Sequence, residues 1–121
     1  MAINLKPLRW DWPDLTAGDT FPEIRVQESS STTDCATVRV KIKPETSETA
    51  SLTLLSSGAG VTIDDGTAGQ WDFTINEIAA SDTEDLAPGN YRYDIEVTDS
   101  AGTVRTEFSG FWRILTQVTD E

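Results

Sequence analysis

Histidine is absent from this 121-residue chain. That absence removes the commonest general base and the commonest transition-metal ligand. Ser-His-Asp and Cys-His catalysis go with it, as do zinc sites built from cysteine and histidine. Cysteine is nearly absent as well: the single Cys35 cannot form an intramolecular disulfide. A chain of this length buries about 65% of the surface it exposes when unfolded, enough for one core without disulfide or metal staples. Basic residues are scarce, nine Lys and Arg against 21 Asp and Glu, for a net charge of −12. Nucleic-acid binding depends on cations that neutralise phosphates, so this balance argues against it. No apolar run approaches the ~18 residues of a membrane-spanning helix. Met1 to Pro13 has neither an apolar h-region nor a small-residue cleavage site, so it is not read as a secretory signal. The expectation is a soluble chain made and kept in a cytoplasm, and a non-catalytic module.

What the sequence does have is a period of two, the signature of strands with one buried face. Ala36, Val38, Val40 and Ile42 alternate with Thr37, Arg39, Lys41 and Lys43. Trp71, Phe73 and Ile75 alternate with Asp72 and Thr74, and Tyr91, Tyr93, Ile95 and Val97 with Arg92, Asp94, Glu96 and Thr98. Val104, Thr106 and Phe108 alternate with Arg105, Glu107 and Ser109. Shorter candidates are Leu8 to Trp12, Phe21 to Glu28, Ser51 to Ser56 and Val61 to Ile63. Asp64-Asp65-Gly66 and Asp99-Ser-Ala-Gly102 read as hairpin connections, and Ala87-Pro88-Gly89-Asn90 as a tight turn. Pro44 to Ala50 reads as a polar loop, and Ser29 to Asp34 as a mobile polar tip. Face matching predicts a four-residue second hairpin with Thr98 opposite Thr103, Val97 opposite Val104 and Glu96 opposite Arg105. Asn76 to Leu86 is too short and aperiodic for more than one helical turn. About eight short strands with polar turns predict an all-β antiparallel sandwich of immunoglobulin type, with 7–8 strands. Residues 17–121 form the sandwich domain in this reading, and residues 1–16 an N-terminal arm or first strand.

Four segments carry a resemblance. They are Ala17-Gly-Asp-Thr-Phe-Pro22, Ala36-Thr-Val-Arg-Val-Lys-Ile-Lys43, and Gly58-Ala-Gly-Val-Thr-Ile-Asp-Asp-Gly66 running on to Gly69-Gln-Trp-Asp-Phe-Thr-Ile75. The fourth is Leu86-Ala-Pro-Gly-Asn-Tyr-Arg-Tyr-Asp-Ile-Glu-Val-Thr-Asp99, continuing through Gly102-Thr-Val-Arg-Thr106 and Ser109-Gly-Phe-Trp-Arg-Ile114. In order and spacing they resemble the immunoglobulin-like modules of tailed-phage virion proteins, similar to the N-terminal domain of the phage baseplate upper protein. The resemblance implies a virion structural role, with other phage structural proteins and copies of itself as partners. It brings no catalytic residue, cofactor or metal. Nothing after this module in the sequence matches the collagen-like or coiled-coil parts of the baseplate protein, so a free-standing subunit is expected.

Several residues invite a functional reading. Trp10 and Trp12 have the same parity and stand beside Pro13. They either pack on the sheet or anchor an arm in a neighbour, since aromatics are enriched in interface cores. Phe111 and Trp112 are adjacent, so either a bulge at Gly110 turns one inward or one is exposed. Trp71 reads as core. Residues 1–60 net −2 and residues 61–121 net −10, while Arg39, Lys41 and Lys43 share one face of a strand. These bases either pair within the chain or meet an acidic face of another copy. The assembly candidates are therefore Trp10, Trp12, Arg39, Lys41, Lys43, Phe111 and Trp112. A receptor- or carbohydrate-binding module, with Trp side chains stacked on a host-surface glycan, is the alternative. Asp64 and Asp65, and Asp82, Glu84 and Asp85, read as turn chemistry and solubility, without the spacing of an EF-hand. Cys35 reads as a buried thiol, because no activating base or cation accompanies it.

Overall fold

The computed structural model describes residues 8–28 and 32–116. Residues 1–7 of the arm and 29–31 of the polar tip lie outside the described residues. The strands are β1 (Leu8–Arg9), β2 (Leu15–Thr16), β3 (Ile24–Glu28), β4 (Thr37–Pro44), β5 (Leu52–Leu55), β6 (Val61–Asp65) and β7 (Trp71–Ile75). One helical turn, α1 (Ala80–Thr83), precedes β8 (Gly89–Thr98) and β9 (Val104–Leu115). The larger sheet has the order β1-β9-β8-β4-β5, with β2 also on β9, and the smaller has the order β3-β7-β6. The chain crosses between sheets after β2, after β3, after β5 and after β7, which makes this the expected all-β, immunoglobulin-like sandwich with one helical turn.

The inward positions are those the alternation marks. Val38, Val40 and Ile42 of β4, Trp71, Phe73 and Ile75 of β7, and Tyr91, Tyr93, Ile95 and Val97 of β8 are all buried. At the start of β8 the Tyr91 hydroxyl donates to the Ala87 carbonyl at 2.6 Å, closing the turn four residues upstream. This is the tyrosine corner of immunoglobulin-type sandwiches. Tyr93 then occupies the position, two residues on, where antibody domains carry a disulfide cysteine.

Two expectations need correction. The first concerns strand direction: β1 and β2 run parallel to β9, so the larger sheet is not antiparallel throughout. The second is the register of the β8–β9 hairpin. Thr98 lies opposite Val104, and Val97 opposite Arg105. Asp99 is the physical reason for the longer loop. Its side chain accepts the amides of Ala101 and Thr103, both at 3.0 Å, so Thr103 belongs to the turn. A bulge at Glu107 then restores parity, so that Ile95 faces Phe108, Tyr93 faces Gly110 and Tyr91 faces Trp112. Arg105, turned toward the end of the sandwich, pairs with Glu107 at 3.5 Å and donates to the Thr33 hydroxyl. Glu96 is left to Arg39 on β4.

Beyond β1 the chain stays on the edge of β9. The amides of Trp10, Trp12 and Ala17 donate to the carbonyls of Ser109, Phe111 and Leu115 at 2.8, 3.0 and 2.9 Å. Gly110 makes this approach possible. A Cβ there would stand 2.2 Å from the Trp10 carbonyl oxygen and 2.9 Å from the Tyr93 ring. In the space left free, the Tyr93 hydroxyl donates to the same Trp10 carbonyl. Trp12 enters the core beside it. Its ring stacks on Tyr93 at 4.1 Å and on Phe21 at 5.2 Å, and meets Trp112 edge-on at 5.2 Å. Each such aromatic pair contributes about 0.5–1.5 kcal/mol beyond its buried area.

The expected consequence is that Gly110→Ala destabilises the fold by about 1–3 kcal/mol or more, because backbone rather than a flexible side chain blocks the methyl. Gly58→Ala, whose methyl meets only Leu55 at 3.8 Å, is the control and should change little. Denaturant unfolding checks both, and equal stability of the two variants would contradict the close approach.

Candidate interaction surface

The seven assembly candidates divide sharply. Trp12 (4% exposed) and Trp112 (1%) are core residues and offer no surface, which corrects the reading of both as contact residues. Trp12 is inward because the edge segment is pinned to β9 on both sides of it, and Trp112 because alternation holds through Gly110 with no bulge there. Trp71 is buried, as expected, and its indole N–H donates to the Thr33 carbonyl at 2.9 Å. Trp10 and Phe111 are exposed, at 37% and 41%. Trp10 sits at the rim, edge-on to Phe108 with centroids 6.5 Å apart. Phe111 projects from the outer face of the larger sheet, and the Arg9 guanidinium lies 4.7 Å above its ring. Arg9 in turn forks onto Asp11, with both bonds at 3.1 Å, and Asp11 accepts the Phe111 amide at 3.0 Å.

The three bases of β4 also separate. Arg39 is paired with Glu96 across the β4–β8 ladder, its Nε donating at 2.9 Å. Lys41 lies opposite Asp94, and Lys43 opposite Arg92. Among the described residues, neither lysine forms an ion pair within 4.0 Å. Every arginine does: Arg9 with Asp11, Arg25 with Asp72, Arg39 with Glu96, Arg92 with Glu48, Arg105 with Glu107 and Arg113 with Asp14. The reason is geometric. The planar guanidinium forks onto a carboxylate across a ladder, whereas an ammonium is a hydrated point charge on a flexible stem.

Charge is sorted between the two faces of the sandwich. The outer face of the larger sheet collects Arg9, Arg39, Lys41, Lys43, Arg92 and Arg113 against Asp11, Asp14, Glu45, Glu48, Asp94 and Glu96, six bases to six acids. The other described residues hold two bases, Arg25 and Arg105, against thirteen acids. On the outer face of the smaller sheet Arg25 forks onto Asp72 at 2.9 and 2.6 Å. Asp64 and Asp65 flank that pair on β6; Asp64 adds to the negative field on Arg25, and neither forms an ion pair within 4.0 Å among the described residues. Arg25 holds the Asp72 carboxyl below its ordinary range, Arg9 and the Phe111 amide do the same for Asp11, and the Thr67 amide does so for Asp65. These carboxylates stay charged into mild acid. The stability they add is present above the ordinary carboxylate pKa and is lost as pH falls through their depressed values.

The acidic turns do what turn residues do. Asp65 accepts the Thr67 amide at 2.9 Å, Asp64 accepts the Thr74 hydroxyl at 3.4 Å, and Asp82 lies in the single turn of α1. Among the described residues no three carboxylates or thiols converge. Cys35 is buried, its amide donating to the Gly66 carbonyl at 2.7 Å. Burial, with the charges of Asp34 and Glu107 adding to it, pushes its thiol up to about 11. The Arg9–Phe111 stack and the Arg113–Asp14 pair were not anticipated. Both depend on the parallel alignment of the N-terminal edge with β9, for which alternation within a strand carries no signal.

No family model and no curated protein matches this chain. Four chains of solved structures do. One is the crystal structure of CopC from Methylosinus trichosporium OB3b, 11% identical, with a TM-score of 0.47, covering 89% of this chain and 87% of that one.

Two outcomes are expected. Acrylamide should quench mainly Trp10, so Trp10→Phe should remove most of the quenchable emission and leave a blue-shifted spectrum. Equal quenching before and after would place a second tryptophan at the surface. Native Cys35 should resist iodoacetamide at pH 8 and react on unfolding. Rapid alkylation of the folded protein would contradict its burial.

Proposed function

We propose that this chain is a structural subunit of a tailed-phage particle, made in the host cytoplasm and acting in the virion through repeated protein–protein contact without turnover. The sequence resemblance leads to this reading, and its four segments correspond to the entry turn before β3 and to β4, β6–β7 and β8–β9. The structural observation that supports it most is the sorting of charge. One broad sheet face is close to neutral and holds an exposed Phe111 and two lysines that form no ion pair within 4.0 Å among the described residues, while the rest of the described surface is strongly acidic. Complementary faces of this kind fix orientation and partner choice more than affinity. Baseplate, tail-fibre attachment, neck and capsid-decoration positions all fit a small domain that docks by its faces. The glycan-binding reading drew on Trp10 and Trp12 as stacking platforms, and Trp12 is in the core.

Purified particles from an infected host test the proposal. Mass spectrometry should find the chain in them, and gold-labelled antibody should mark one repeating position. Presence in the infected cytoplasm with absence from particles would overturn it.

A further inference from the structure

We infer that the partner met by the larger sheet's outer face is the smaller sheet's outer face of a second copy of this chain. The inference rests on the structural-subunit reading above and adds the identity of the neighbour and the pair of faces involved. Three pairings of two flat sheet faces are possible. Larger on larger sets the Lys41 and Lys43 stripe against itself, and smaller on smaller sets Asp64, Asp65 and Asp72 against their own copies. Like charges juxtaposed across an interface cost several kcal/mol, which opposes smaller on smaller, while larger on larger joins two near-neutral faces and leaves the acidic faces uncompensated. Larger on smaller brings Lys41 and Lys43, which form no ion pair within 4.0 Å among the described residues, to Asp64 and Asp65, which form none either and have only the Arg25 already clasped by Asp72 nearby.

Phe111 adds an apolar anchor to the near-neutral face that carries the two lysines, with Arg9 already fixed above its ring. Aromatic and arginine side chains of this kind dominate binding energy at interface centres. Because the two contacting faces differ, each copy still presents one free face of each kind after docking. Contact of this heterologous type propagates into a ring if the rotation closes, and into an open stack if it does not. The net charge of −12 opposes association at long range, but the repulsion is screened beyond a Debye length of about 8 Å at physiological ionic strength, while face-to-face pairs lie well inside it.

Sedimentation velocity on the full chain tests the inference. At physiological salt the weight-average mass should rise with concentration above the 13.3 kDa of one chain, and high salt should return it to that value. Lys41→Glu/Lys43→Glu should weaken association at least about tenfold, since it reverses two charges at one face. Asp64→Lys should weaken it in the same direction. Asp65 is left unchanged because it holds the Thr67 turn. Mixing the two variants should restore association, and circular dichroism confirms that each is folded. A wild-type chain that stays monomeric at every concentration, or folded variants that stay apart when mixed, would overturn the inference. A monomeric chain that still labels particles would leave the structural role standing and overturn only the choice of neighbour.

Discussion

The Trp10 carbonyl can reach the Tyr93 hydroxyl only because position 110 has no side chain. The edge of the larger sheet depends on that one approach. With the carbonyl seated there, Trp12 falls against Tyr93, Phe21 and Trp112, and the core is closed at the side where it would otherwise be open. The same seating brings Asp11 to the Phe111 amide and Asp14 to Arg113, so the outer face of the sheet inherits its arrangement from the packing beneath it. Burial, reinforced by Asp11 and Asp94, holds the Tyr93 phenol well above its ordinary pKa, and it remains a neutral donor at any pH where the fold survives.

Arginine and lysine play different parts on this surface. The arginines are spent within the chain, four clasping a carboxylate on a neighbouring strand or loop and two, Arg9 and Arg105, clasping one two residues along. Exposed pairs of this kind contribute only about 0–1 kcal/mol each, so their effect is less on stability than on what remains unpaired. Lys41 and Lys43 remain, and so does most of the acid. The sandwich is therefore an object with two electrostatically different sides, produced by which strands the bases were placed on rather than by any local excess of them.

Most of the framework was legible in the sequence because the strands are half-buried and obey a period of two. Val38, Val40 and Ile42, and Tyr91 through Val97, could be assigned to the core from their spacing alone. The lack of any 3.6 period limited the segment before β8 to one helical turn or a plain loop, and the structure has the turn. The hairpin register was not. Asp99 capping its own turn and the extra residue at Glu107 are backbone events that compensate one another, so face matching put Phe108 on the correct face but Val104 and Thr106 on the wrong one. The tyrosine corner had a local signal, a tyrosine opening a strand after Ala87-Pro88-Gly89-Asn90, that passed unread. Trp12 was misjudged as a contact residue because its neighbours in space are Tyr93 and Trp112, far along the chain and invisible to local pattern. Lys41 and Lys43 were recognised as a stripe, but only the structure separates them from Arg39, which Glu96 has already claimed.

The parallel edge has a consequence for how the molecule comes into being. Leu8 is aligned with Phe108, and Leu15 with Ile114, so the earliest described strand pairs with the latest. During synthesis the segment from Leu8 to Ala17 has no partner until β9 has left the ribosome. Trp10 and Trp12 spend that interval in water. Closing a loop of this length carries an entropic cost that must be met before any contact rewards it, and β-sandwiches dominated by such distant pairings are slow folders. The edge of the larger sheet thus needs β9 in place before the segment from Leu8 to Ala17 can pair.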